Sequence, residues 1–114
     1  MTNRMPERET QVKALASQSR MEILRLLIRA GTEFADQWSA DPVETGVCMN
    51  SIAKKMGVSQ PTASRHIDLL RRAGFITVKK QQKWAYCQRD EAALAEYHAW
   101  LAEHLSLEAN PPQK

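Results

Sequence analysis

Long apolar runs are missing from this 114-residue chain. The longest, Ile23–Ile28, is interrupted by Arg25 and falls far short of the roughly 20 residues a membrane-spanning helix needs, so no membrane partner is expected. The opening segment MTNRMPERETQ is charged throughout and lacks the apolar centre of a signal peptide, which points to the cytoplasm. Cysteine is nearly absent: Cys48 and Cys87 are the only two, too few for the disulfide framework of a small secreted domain, and in a reducing compartment they rest as thiols. Glycine, with 4 residues, and proline, with 5, are too sparse for a low-complexity linker. Missing too are a nucleophile with a base at hand, a glycine-rich phosphate loop and a carboxylate pair with an evident cleft. The chain is therefore not read as an enzyme, and no cofactor is expected.

Acid is scarce in one place only. Residues 51–90 hold 9 basic and 2 acidic side chains, a net of +7, whereas residues 1–50 net −1 and residues 91–114 net −3. The modest total of +3 hides a strongly polarised chain. A basic block of this kind is the electrostatic footprint of a nucleic-acid surface, although scattered surface lysines can give a weaker version.

At this length the chain is read as one domain, 1–114, with a thin core that a partner subunit would help to complete. A short first helix is expected over about 7–17, with Val12, Leu15 and Ala16 on one side. A second starts at a capping box of Ser19 and Glu22, buries Leu24, Leu27 and Ile28, and stops near Ala30 at a left-handed Gly31. Thr32–Gly46 has no sustained period and reads as a long loop, with at most one helical turn around Phe34–Trp38. CMNSIAKKMG sets Met49, Ile52, Ala53 and Met56 at helical spacing and closes at Gly57. The next helix has Ser59 as N-cap and Pro61 in the first turn, where no intrahelical donor is needed. Phe75–Lys79 and Trp84–Gln88 alternate around the polar tip KQQK and read as a β-hairpin. Asp90 then caps a last helix, about 90–107, and Pro111 and Pro112 leave 108–114 as a frayed tail.

The stretch VSQPTASRHIDLLRRAGF is divided within itself. On a helical wheel Ala63, Ile67, Leu70 and Ala73 share one side, while Gln60, Ser64, Arg65, Asp68, Arg71 and Arg72 share the other. His66 falls on the inner side and suits a structural hydrogen bond. A short helix, a tight turn at GVS and a second helix with a polar first half form a helix-turn-helix, whose second helix enters the major groove of DNA by its N-terminal end. Small hydroxyls let the backbone come close, and Gln and Arg offer bidentate bonds to adenine and guanine edges. Lys54 and Lys55 precede this helix and Lys79, Lys80 and Lys83 flank it; such lysines position a protein on phosphates without reading sequence.

ALASQSRMEILRLL, SIAKKMGVSQPTASRHIDLLRRAGFI and KKQQKWAYCQ, in that order and near that spacing, resemble the ArsR/SmtB family of bacterial winged-helix repressors over roughly Val12–Leu105. The resemblance implies a mainly α fold with a small β-hairpin (α+β): a winged helix-turn-helix of five helices and a two-stranded wing. It implies a homodimer joined through the first and last helices, with Val12, Leu15, Leu94, Tyr97, Trp100, Leu101 and Leu105 in the seam. It further implies a double-stranded DNA operator as partner, met at the helix start by Ser59, Gln60, Thr62, Ser64 and Arg65. Thr62 is the odd member, because the wheel sets it off the polar face.

Family members release DNA on a signal, and this chain departs from each known sensing pattern. The family's Cys-x-Cys metal pair reads Cys48, Met49, Asn50 here, and the metal set of the last helix stops at Glu96, His98 and His104, so no metal site is expected. A redox inducer could act through a Cys48–Cys87 bridge; two small half-buried hydrophobes are the plainer reading. A small-molecule inducer could use a pocket walled by Phe34 and Trp38 near the seam, or these rings simply cover the core. The rival to DNA binding is a winged-helix module that meets another protein.

Overall fold

The structure, a computed structural model, describes residues 6–107. The tail expected over 108–114 lies outside the described residues. In chain order the elements are α1 (Arg8–Leu15), α2 (Gln18–Ile28), α3 (Ala30–Glu33), β1 (Val47–Cys48), α4 (Met49–Met56), α5 (Gln60–Arg72), β2 (Ile76–Gln81), β3 (Trp84–Arg89) and α6 (Glu91–His104). The strands form one antiparallel sheet in the order β1-β3-β2. The architecture is a winged helix-turn-helix, with a third strand and a sixth helix added to the sequence expectation.

Both additions flank the segment read as loop, Thr32–Gly46: α3 starts two residues before it, ahead of the turn expected around Phe34–Trp38, and β1 follows it directly. Gly31 does not end α2: it sits inside the single-turn α3, and its backbone is not left-handed. Val47 and Cys48 pair with Cys87 and Tyr86 on β3, a two-residue strand too short to leave an alternating pattern. Gly46 permits this approach, because its φ is +119° and a Cβ there would stand 2.8 Å from the Cys87 carbonyl oxygen.

The start of α2 also differs. The capping oxygen belongs to Ser17, which accepts from the Arg20 N–H at 3.2 Å, while Glu22 turns outward to Arg25. The helix therefore starts two residues earlier than the proposed box sets it, and its buried residues are Ile23, Leu24, Leu26 and Leu27, with Ile28 54% exposed. At the far end α6 stops at His104 rather than about 107, and Ser106 just beyond takes a positive φ.

The helix-turn-helix follows its expected bounds. Gly57 ends α4 with φ +69° in open space, so its requirement is conformational and not steric. Ser59 caps α5 through the Thr62 N–H, and Pro61 sits in the first turn. Ala63, Ile67, Leu70 and Ala73 are all at 1% exposure or less, packed with Ile52, Ala53, Phe75 and Ile23 in one apolar cluster. Truncating such an Ile or Leu to Ala costs about 2–5 kcal/mol in a packed core, a large share of a small domain's stability. The C-terminal half of α5 is thus fastened, and its N-terminal half is carried outward.

Candidate nucleic-acid interface

Exposure along α5 switches with position. Ser59, Gln60, Thr62, Ser64 and Arg65 are exposed around the helix start, while the buried positions fall at helical spacing behind them. The Ser59 hydroxyl accepts from the Thr62 N–H at 3.3 Å and lies 3.0 Å from the Thr62 Oγ1, which steadies the first turn. Thr62, off the polar side of the wheel, is nonetheless exposed here because the first turn projects past the body of the domain.

The basic block sorts into paired and unpaired members. Arg71 and Arg72 share Asp68, at 2.7 and 2.9 Å. Arg89 binds Glu91 at 2.7 Å, and Lys55 binds Glu33 at 3.3 Å while lying over the Phe34 ring. Lys54, Arg65, Lys79, Lys80 and Lys83 have no ion-pair partner among the described residues. The unpaired cations therefore fall on α4, the first half of α5 and the wing. Lys55 differs from its sequence grouping, since its ammonium is already engaged.

The wing has a two-residue tip, Gln82 and Lys83, with Gln82 at φ +56°. Lys79 pairs opposite Tyr86 and Lys80 opposite Ala85, so the two lysines point to opposite faces of the hairpin. Lys83 lies 5.2 Å over the Trp84 ring. Trp84 meets Trp38 edge-on.

A contact 46 residues long in sequence, with no local signal to announce it, orients α5 from behind. Arg20 donates from Nε to the Ala14 carbonyl at 2.6 Å and from Nη2 to the Lys13 carbonyl at 3.1 Å; its Nη1 lies 3.1 Å from His66 Nδ1. A guanidinium only donates, so Nδ1 accepts and the imidazole is neutral. Burial first, then the fields of Arg20 and Arg65, holds His66 below the usual imidazole range. Gln11, 2% exposed, adds a second latch by donating to the Ala73 carbonyl at 3.2 Å. Through these two residues α1 is tied to the middle and the C-terminal end of the recognition helix.

The α1–α6 side divides the expected seam residues. Val12 (46%) and Leu105 (56%) are exposed, and Leu15, Leu94, Trp100 and Leu101 are half-buried. Tyr97 belongs to the core instead: it is 7% exposed and meets the Phe75 ring edge-on at 5.3 Å. His104 stacks on Trp100, and Glu96 binds Arg8, whose guanidinium also lies over Trp100.

Cys48 and Cys87 are free thiols and both are buried, as in the plainer reading, and the bridge considered as a redox device is not made. Cys48 pairs opposite Tyr86 while Cys87 pairs opposite Val47, so adjacent positions of the register send the two side chains to opposite faces of the sheet. Burial, with Cys48 nearby, pushes the Cys87 thiol up to about 12. Phe34 is a core residue at 3% exposure, whereas Trp38 is 85% exposed beside a cavity that no residue of α1 or α6 lines. That cavity lies between the loop, α4 and β3, away from the expected seam.

Comparison with known proteins agrees with this geometry. A helix-turn-helix domain model matches residues 15–79. The helix-turn-helix-type transcriptional regulator YbzH of Bacillus subtilis is 36% identical over 96 residues, spanning 84% of this chain and 92% of YbzH. Among solved structures, an ArsR family transcriptional regulator superposes with a TM-score of 0.66 at 23% identity, over 90% of this chain and 97% of that one. A homodimeric winged helix-turn-helix DNA-binding domain from Mycobacterium bovis gives 0.59 at 20% identity, over 91% and 86%. The MepR–DNA complex of Staphylococcus aureus gives 0.56 at 14% identity, over 90% and 75%.

Proposed function

The chain belongs to the helix-turn-helix family of transcriptional regulators and has the winged fold of ArsR-type members, and from that premise we propose that it is a homodimeric, cytoplasmic, non-enzymatic repressor that binds a two-fold DNA operator and leaves it on a signal. The observation that carries the DNA reading is the sorting of charge within residues 51–90: the five cations there without ion-pair partners among the described residues lie on α4, the nose of α5 and the wing. Dimerisation through α1 and α6 would set two α5 noses about 34 Å apart, one turn of duplex, each reading a half-site. Gln60, Ser64 and Arg65 then face base edges, with Ser59 and Thr62 close to the backbone, while Lys54, Lys79, Lys80 and Lys83 hold phosphates. The homodimeric and DNA-bound relatives of like fold support this arrangement.

The test is operator selection from a random duplex pool, then affinity measured across salt. Between about 50 and 200 mM salt, a dimer making 6–10 phosphate contacts loses roughly 10³–10⁵ in affinity. A flat salt response, or selection that enriches no sequence, would overturn the DNA reading in favour of a protein-binding winged helix.

A further inference from the structure

We propose that the trench between Phe34–Ser39 of the loop, α4 and Trp84 beside the wing tip binds a small planar aromatic molecule of no net charge, and, resting on the operator-binding reading above, that its occupant weakens DNA binding.

The trench has about 600 Å³ of space, within the usual range of small-molecule clefts. Its loop wall is fastened through Gln37, and the stretch of loop beyond the wall is held in turn by Asp41 and Gln88. The Gln37 side chain donates to the Ala40 and Gly46 carbonyls at 2.9 and 3.0 Å and accepts from the Cys48 N–H at 2.8 Å, so one amide joins the loop to the start of α4. Asp41 accepts from the Val43 and Glu44 N–H groups, and Gln88 of β3 donates to the carbonyls of the same two residues. A wall held this way keeps its shape without an occupant, which lowers the ordering cost of binding.

Aromatic surface is left largely open there. Trp38 is 85% exposed, and its ring stands nearly perpendicular to Trp84 at 6.0 Å, giving a two-sided corner. A flat ring laid against one indole meets the edge of the other, the offset geometry aromatic groups favour. Charge in the lining cancels. Glu33 and Lys55 neutralise each other at 3.3 Å, which leaves Asp36 and Lys54, one of each sign. A charged ligand of either sign is attracted by one of these and repelled by the other, so net charge gains nothing here and still costs desolvation, which favours a molecule without net charge. Asn50 and Ser51 supply neutral hydrogen-bonding groups.

Coupling to DNA follows from shared residues. Lys54 lines the trench and is one of the five unpaired cations, and Lys83, another, rests over the Trp84 ring. An occupant wedged on Trp84 moves Lys83 and shields Lys54.

The three tryptophans make the test internal, because Trp100 lies on α6, outside the trench. The full chain, labelled with ¹⁵N, is titrated with 2-naphthol while the three indole N–H signals, assigned by single Trp→Phe variants, are followed. The Trp38 and Trp84 signals are expected to shift saturably while Trp100 stays still. 2-Naphthoate and 2-naphthylmethylammonium are expected to bind at least about tenfold more weakly. Trp38→Ala, at an exposed position, should leave the Trp100 signal in place and remove the saturable shift. Operator affinity should fall several-fold in saturating 2-naphthol for the parent and not for Trp38→Ala. No shift, or equal shifts of all three indoles, overturns the site; tighter binding of either charged analogue overturns the ligand class. Shifts without an effect on operator affinity overturn the coupling. Saturable shifts in a protein that binds no operator refute the DNA reading and leave the site standing.

Discussion

The α5–wing surface and the α1–α6 surface treat charge in opposite ways. On α1 and α6, Arg8 is bound to Glu96 and Lys13 to Glu9, and three large apolar side chains stand exposed on or just past these helices: Val12, Leu105 and Leu107. On the nose of α5 and the wing the charges stand without partners, and no large hydrophobic residue there is exposed. A surface that pairs its cations and leaves large apolar side chains bare suits a partner of the same kind, whereas a surface with bare cations and no large bare apolar side chain suits a polyanion. The Arg20 and Gln11 latches join the two, so the placement of one constrains the other.

The most severe way to break this contrast is to put charge where carbon is bare. Val12→Glu combined with Leu105→Glu changes two exposed positions and should leave the fold intact, yet sedimentation should show a monomer. Operator affinity should then drop by roughly 10²–10⁴, since the second half-site no longer binds at high effective concentration. A double variant that stays dimeric would place the seam elsewhere.

A smaller effect sharpens the other side. Arg65→Ala should cost about 1–3 kcal/mol and relax preference at one operator position. Lys83→Ala should weaken all sequences alike and lower the salt slope by about 1. Repeating operator selection with each variant separates the two; equal, sequence-independent losses would move Arg65 from reading bases to holding phosphate.

Smaller still is the pH response of the latch between the two surfaces. His66 is held below its ordinary range in the fold, so its neutral form is favoured there. The stability this adds is complete above the unfolded value near 6.5 and is lost as pH falls from that value through the folded one. A protonated ring no longer accepts from Arg20. Thermal melts across that window should show the parent losing more stability than His66→Asn, whose amide oxygen can still accept. Parallel losses would mean that the Arg20 contact does not distinguish the two forms.

How much of this is legible in the sequence depends on the range of the interaction. The α4–turn–α5 unit is read correctly because caps, a left-handed glycine and an apolar period are local: Ser59, Pro61, Gly57 and the Ala63–Ile67–Leu70–Ala73 stripe each announce themselves. Ser19 misleads because Ser17 offers the same oxygen two residues earlier, and Gly31 misleads because glycine is tolerated in a helix as well as after one. Strand β1 and the Gln37, Gln11 and Arg20 contacts are invisible, since their partners lie 9 to 62 residues away. The sorting of the basic block is hidden for the same reason: Lys55 loses its freedom to Glu33 across a loop that carries no period.

The smallest expected effect is none at all, and it concerns the cysteines. Thiolate is the reactive form, and with Cys87 pushed up to about 12 almost none exists near neutral pH. Cys48 and Cys87 lie on neighbouring strands, but their side chains leave the sheet on opposite faces, so a bridge would require β1 to slip by one residue and turn Val47 out of the core. Cys48→Ser should therefore leave operator binding equally insensitive to mild oxidant as the parent, and thiol reagents should label the folded protein only as fast as it opens. An oxidant response in the parent that the variant lacks would show that the wing root shifts register, and the opening of that sheet would become the signal.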